Sequence, residues 1–129
     1  MSRKGKGMDA ERELLHKFWG TGVWAALRIA GSGSMKYPSA DVVATNGRRM
    51  LAIECKASKD SSKYFNHEEI KQLKEFSVWF QAEPWIGLKF DREEWYFLKI
   101  EELEGSGKHL VASLKKSKEI NRTFEELAR

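Results

Sequence analysis

One turn signal constrains this chain more than any other feature. Asn46-Gly47 lies between two short apolar runs, Asp41-Val42-Val43-Ala44 and Met50 to Lys56. Both turn residues tolerate positive φ, so the pair predicts a β-hairpin. Three charged residues, Asp41, Glu54 and Lys56, interrupt these strand-like runs. Side chains alternate along a strand, so Glu54 and Lys56 share a face. Where Asp41 falls depends on the loop. A two-residue turn at Asn46-Gly47 pairs Thr45 with Arg48, Val43 with Met50 and Asp41 with Ala52, leaving Glu54 on the diagonal at roughly 7–8 Å. A four-residue loop from Asn46 to Arg49 keeps the same parity and sets Asp41 directly opposite Glu54. A three-residue loop would put the two carboxylates on opposite faces. Two carboxylates and an ammonium on one face suit a hard divalent cation held through oxygen, with a lysine beside it.

The rest of the chain narrows the setting. Its 129 residues are 41% hydrophobic and 33% charged, which predicts one globular domain over 1–129 with a substantial core. No apolar run approaches the ~20 residues of a membrane span, and no apolar h-region follows the basic N-terminus. The single cysteine excludes a disulfide framework and a zinc knuckle, and fits a reducing, cytoplasmic compartment. A net charge of +4 is modest, but its distribution is uneven. Arg3, Lys4 and Lys6 cluster in residues 1–7, which read as a flexible basic arm, either a solvated tail or a DNA contact. Lys56, Lys59 and Lys63 cluster after the hairpin, where a phosphate backbone beside a carboxylate site would need them.

The element order follows from periodicity. A helix starts near Asp9 and stops at Gly20 or Gly22, with Leu14, Leu15 and Phe18 as its apolar stripe. Glu11 falls on that buried face, where it is either a first-turn acid favoured by the helix dipole or a carboxylate with a partner or a metal. Val23 to Ala30 reads as a strand carrying Arg28, followed by the Gly31-Ser32-Gly33-Ser34 loop. Ala57 to Phe65 reads as a polar connection. Asn66 to Glu69 resembles a capping box opening a helix to about Gln81, with Ile70, Leu73, Phe76, Ser77 and Phe80 on one side and Trp79 adjacent. Trp85 to Phe90 and Trp95 to Ile100 form a second hairpin, His109 to Leu114 a short edge strand, and Thr123 caps a terminal helix. The order predicts an α/β class, a mixed sheet flanked by helices, with the strands either side of the long helix parallel.

Asp41, followed by Glu54-Cys55-Lys56, has the form Asp…Glu-x-Lys. The carboxylates supply hard ligands, and the Cys55 main-chain carbonyl between Glu54 and Lys56 could supply another. Lys56 would orient or deprotonate water, or stabilise charge on the phosphate. A surface ion pair at the sheet's end is the competing reading.

With these pieces in order, the chain resembles the PD-(D/E)xK nucleases, and more closely the archaeal-type Holliday junction resolvases. The resemblance runs over about residues 3 to 100. It rests on Ala10-Glu11-Arg12-Glu13-Leu14, Arg28 to Ser32, Asp41 to Ala44, Asn46-Gly47, Ala52 to Lys56, Gln72-Leu73…Phe76 and Trp95-Tyr96-Phe97. It departs from the family pattern at Ala40, where proline is usual. The resemblance implies a restriction-endonuclease-like fold and a Mg²⁺-dependent endodeoxyribonuclease, with Mn²⁺ able to substitute, resolving four-way junctions by paired nicks. It implies catalytic roles for Glu11, Asp41, Glu54 and Lys56, and metal binding by Glu11, Asp41, Glu54 and the Cys55 carbonyl. Arg12, Arg28 and Ser32 (or Ser34) become DNA contacts, joined by Arg3, Lys4, Lys6, Lys59 and Lys63. Phe76, Trp79 and Phe80 become a homodimer interface. It implies a cell that is archaeal, bacterial or virus-infected. The alternatives are another PD-(D/E)xK nuclease acting on duplex, flap or damaged DNA, and a non-catalytic DNA-binding module.

Overall fold

The computed structural model describes residues 3–31 and 36–129, with side chains for 9–31, 36–105 and 107–129. In chain order the elements are α1 (Arg3–Gly20), β1 (Ala25–Arg28), β2 (Val42–Thr45), β3 (Met50–Ser58), β4 (Ser62–Asn66) and α2 (His67–Phe80). They continue with β5 (Glu83–Phe90), β6 (Trp95–Leu98), a 3₁₀ turn (Ile100–Glu102), β7 (Glu104–Ser106), β8 (His109–Ser113), α3 (Leu114–Ile120) and α4 (Phe124–Leu127). Five strands form a sheet in the order β1-β2-β3-β5-β6, and three form a second sheet in the order β4-β8-β7. β3 and β5 are parallel, and α2 lies on the crossover between them. The other pairs in the large sheet are antiparallel, so it is the mixed, helix-flanked sheet expected.

The hairpin closes through four residues, not two. Thr45 pairs with Met50, and Val42 with Ile53. Asn46 decides this. Its Oδ1 accepts from the Arg48 and Arg49 amides at 2.9 and 2.8 Å, an Asx-type turn that spans the wider loop. Thr45 Oγ1 donates to the Arg49 carbonyl at 2.7 Å and accepts from the Gly47 amide at 3.0 Å. Gly47 has φ +88°, whereas Asn46 is not among the residues with positive φ, so the two-residue turn that needs both is excluded.

The central strands of the large sheet are buried on both faces. Leu51, Ile53 and Cys55 of β3 pack with Leu14 and Phe18 of α1, Val42 of β2, and Phe124 and Leu127 of α4. Ala52 of the same strand packs with Phe65, Ile70, Leu73, Phe76, Ile86 and Leu88 on the opposite side. Alternation therefore sends Glu54 and Lys56 to the α2 side. Gly87, level with Cys55, is where the strand crowds its neighbours: a Cβ there would meet Ile53 Cγ2 at 3.0 Å and a Phe97 ring carbon at 3.1 Å.

Several boundaries differ from those the sequence predicts. α1 begins at Arg3 instead of near Asp9, so the backbone expected as part of a flexible basic arm is helical from Arg3. No proline interrupts the segment, and its Arg and Lys residues are good helix formers that offset Gly5 and Gly7. Part of the expected polar connection is strand: β3 runs on to Ser58, and β4 follows after a three-residue turn. β4 hides its alternation because only Phe65 is fully buried. β8 is the centre of the small sheet, not an edge, because β4 and β7 flank it. Pro84 lies inside β5, before the pairing with β6 begins at Ile86, so its missing N–H costs that ladder nothing. α2 follows its capping signal: the Asn66 side chain accepts from the Glu69 amide.

Candidate active site

Three elements build the site. Asp41 stands at the entrance to β2, just past the last ladder pair. Its amide donates to the Ile53 carbonyl at 3.0 Å, one residue out of the hairpin register. Its carboxylate Oδ2 accepts from the Cys55 amide at 2.8 Å, which holds the side chain over β3 beside Glu54. Glu54 and Lys56 project from β3, and α2 brings Glu68, Glu69 and Gln72 over them from its first turns. The result is a cavity of about 280 Å³ lined by Ser39, Asp41, Glu54, Lys56, Asn66, Glu68, Glu69 and Gln72. Asp41, Glu54 and Lys56 are thus brought together in one space.

The electrostatics are those of a crowded anionic site. The Glu54 carboxyl is pushed up to about 8, first by burial, then by the neighbouring Asp41, with Lys56 opposing. A carboxyl kept protonated near neutrality by burial and by a second carboxylate is short of positive charge. Oxygen donors in that condition fit a hard divalent cation. Burial and the same carboxylates push the Cys55 thiol well up, so it is an inert, apolar-facing group. Lys56 Nζ lies 3.5 Å from Glu69 Oε2 and 5.7 Å from the Phe65 ring centroid.

Glu11 is placed differently. It belongs to α1, whose apolar residues pack against the opposite face of the sheet, and its Oε1 accepts from Arg28 Nε at 2.8 Å. Its carboxyl is nevertheless raised, first by burial and then by Asp41, with Arg28 and Lys56 opposing, so it shares the field of the pocket. No group of three or more His, Cys, Asp or Glu side chains arranged to hold a metal occurs among the described residues.

A family model described as "Archaeal holliday junction resolvase (hjc)" matches residues 2–129. The chain belongs to this family. Among relatives of this resolvase chain, the crossover junction endodeoxyribonuclease Hjc of Archaeoglobus fulgidus is 42% identical over 106 residues, spanning 82% of this chain and 77% of that protein. The crossover junction endodeoxyribonuclease Hje of Saccharolobus solfataricus is 35% identical over 101 residues, spanning 76% and 74%. A 1.6 Å resolution structure of Archaeoglobus fulgidus Hjc, described as a Holliday junction resolvase from an archaeal hyperthermophile, aligns with a TM-score of 0.79 at 37% identity, covering 85% of this chain and 89% of that one.

The remaining predicted residues of the resolvase chain scatter around the pocket. Arg12 is exposed on α1, Arg28 is half-buried against Glu11, and Lys59 is exposed beyond the end of β3. Lys63 is half-buried on β4. Ser32 and Ser34, and the side chains of Arg3, Lys4 and Lys6, lie outside the described residues. On α2, Phe76 is buried and stacks on Phe80 at 4.3 Å between centroids, while Trp79 is 80% exposed. With Ile29, Tyr37 and Pro38 these aromatics line an apolar groove. Sequence reasoning missed Ser39, Asn66, Glu68, Glu69 and Gln72 as pocket residues. The Asn66–Glu69 capping signal and Gln72 were visible, but nothing local in the sequence says that the helix start overhangs Lys56.

Proposed function

We propose that this chain is a structure-selective endodeoxyribonuclease that resolves four-way DNA junctions in the cytoplasm, hydrolysing phosphodiester bonds at the Asp41–Glu54–Lys56 pocket. The observation that carries the reading is the convergence of two carboxylates and a lysine in one cavity, with Glu54 held protonated by its crowding. Asp41 and Glu54 would hold Mg²⁺, or Mn²⁺ in its place, with the Cys55 main-chain carbonyl and Glu11 as further oxygen donors. The ion supplies Lewis acidity toward the scissile phosphate. Asp41 and Glu54 orient the reacting group, and Lys56 holds charge or water beside it. Arg12, Arg28 and the flanking lysines bind neighbouring phosphates, and for Arg28 this means exchanging its Glu11 partner for DNA. Such contacts read the spacing of phosphates and carry little base information, which suits selection by junction shape.

Paired nicks need two sites related by symmetry, and a homodimer supplies them. Exposed Trp79 and Phe80, beside the buried ring of Phe76, support an interface on α2. The test is cleavage of a synthetic four-way junction and of its component duplexes, with and without Mg²⁺, beside Asp41→Ala. Wild-type protein should cut the junction only with the cation, and Asp41→Ala should lose at least ~10³-fold in rate. Equal cutting of junction and duplex would sink the selectivity, and sedimentation of the same sample as a monomer would sink the pairing.

A further inference from the structure

Glu69 is placed more tightly than a helix cap requires. Its amide donates to Asn66 Oδ1 at 2.8 Å, and its Oε1 lies 3.3 Å from Asn66 Nδ2. The first is the helix cap, and the second ties the two side chains to each other. The second oxygen, Oε2, has no part in them. It is withdrawn from solvent, makes no hydrogen bond among the described residues, and faces Lys56 Nζ at 3.5 Å. A capping acid at a helix start ordinarily leaves its spare oxygen in water, because burying a carboxylate oxygen without a donor is unfavourable. Here the bond to Asn66 fixes the carboxylate and the fold turns its spare oxygen inward, onto Lys56, the one lysine lining the cavity among the described residues.

Lysine carries a flexible four-carbon stem and rarely holds one geometry unaided. The Phe65 ring lies near the Lys56 ammonium, and Glu69 supplies an opposite charge from α2. We propose that Glu69 is a positioning residue, which holds the Lys56 ammonium inside the cavity beside Asp41 and Glu54. This inference rests on the reading of Lys56 as a catalytic group. It assigns α2 a part in the chemistry as well as in packing, through a carboxylate on a different element from the Asp…Glu-x-Lys hairpin.

Glu69→Gln keeps the side-chain length and the cap but removes the charge. In single-turnover cleavage of a four-way junction with Mg²⁺ it should lower the rate ~10-fold. Junction affinity measured with Ca²⁺ and the thermal midpoint should stay unchanged. Lys56→Ala should fall much further, and adding Glu69→Gln to it should cost less than twofold more, because the two act as a unit. In the protein without divalent cation, NMR relaxation at Lys56 Cε should show greater motion in Glu69→Gln, and none in Glu75→Gln on the same helix. A wild-type rate in Glu69→Gln, a tenfold loss that persists in the Lys56→Ala background, or unchanged Lys56 motion would each overturn the inference. A wild-type rate in Lys56→Ala would instead remove the catalytic reading of the lysine, and the relaxation measurement would still decide whether Glu69 pins it.

Discussion

The start and the middle of β3 handle charge in opposite ways. At its start, Arg49 reaches Glu83 through two bonds of 2.9 Å, and its remaining donors meet the Leu127 and Arg129 carbonyls at 2.8 and 2.9 Å. The bond from Arg49 holds the Glu83 carboxyl below the usual range. Each charge there has its complement, and the effect is to tie the hairpin to β5 and to the C-terminus. Five residues along, burial and Asp41 push Glu54 up to about 8, and a single lysine faces both Glu54 and Glu69. A satisfied charge network serves the fold, and an unsatisfied one marks a place kept ready for a ligand.

The largest expected effect comes from removing the conflict at the middle of the strand. Between about pH 4.5 and 8, folded protein without divalent cation keeps a proton on Glu54 that the unfolded chain has released. Its stability should therefore be fully present below pH 4.5 and fall as pH rises to 8, by up to about 5 kcal/mol. Glu54→Gln should abolish most of that slope, leaving the variant more stable than wild type at pH 8.5 while cleavage drops ~10³-fold. Adding Mg²⁺ should restore stability to wild type at high pH and do little for the variant. Urea unfolding at pH 5 and 8.5 reads all of this. A flat profile in the wild-type protein would mean that the carboxylates relax apart, and the start and middle of β3 would no longer differ.

Arg49→Ala breaks the comparison from the other side. The guanidinium is about a third exposed, so screening discounts its bonds, and the loss should be about 1–2 kcal/mol. Cleavage per folded molecule should stay at the wild-type rate below the melting transition. A large catalytic loss at constant stability would show that the hairpin transmits strain from its loop to the pocket.

How much of this was legible beforehand follows from where each residue sits. The hairpin, its parity and the Asp…Glu-x-Lys set could be read because alternation along one strand is a local rule. The choice between a two- and a four-residue loop could not, since it turned on Asn46 folding its own side chain onto Arg48 and Arg49. β4 escaped notice because it earns its place by pairing with β8, forty-odd residues later, and buries little besides Phe65. Glu69 could be recognised as a cap, but its second oxygen meets Lys56 only after α2 has crossed above β3. Glu11 could be placed on a buried helix face, whereas its partner Arg28 is set by how β1 lies along α1. Strand pairing that follows from alternation and chain order was readable, and the side-chain contacts set by how helices lie on the sheet were not.

The smallest expected effect calibrates the others. Lys71 and Glu75 form an i,i+4 pair on the exposed side of α2, 4.0 Å apart, with side chains 67% and 47% accessible. They share the helix of Glu69 but neither its burial nor its cap. Water screens such a pair, and holding two long side chains together cancels much of the attraction, so Lys71→Met should shift stability by less than about 0.5 kcal/mol. Junction cleavage should match wild type. If this exposed pair mattered as much as Arg49 with Glu83, long-range charge on α2 would be acting throughout the domain. The contrast along β3 would then reflect net charge and not the satisfaction of particular groups. A null result, measured beside the two larger effects, leaves burial and pairing as what separates a charge that builds the fold from one that waits for a ligand.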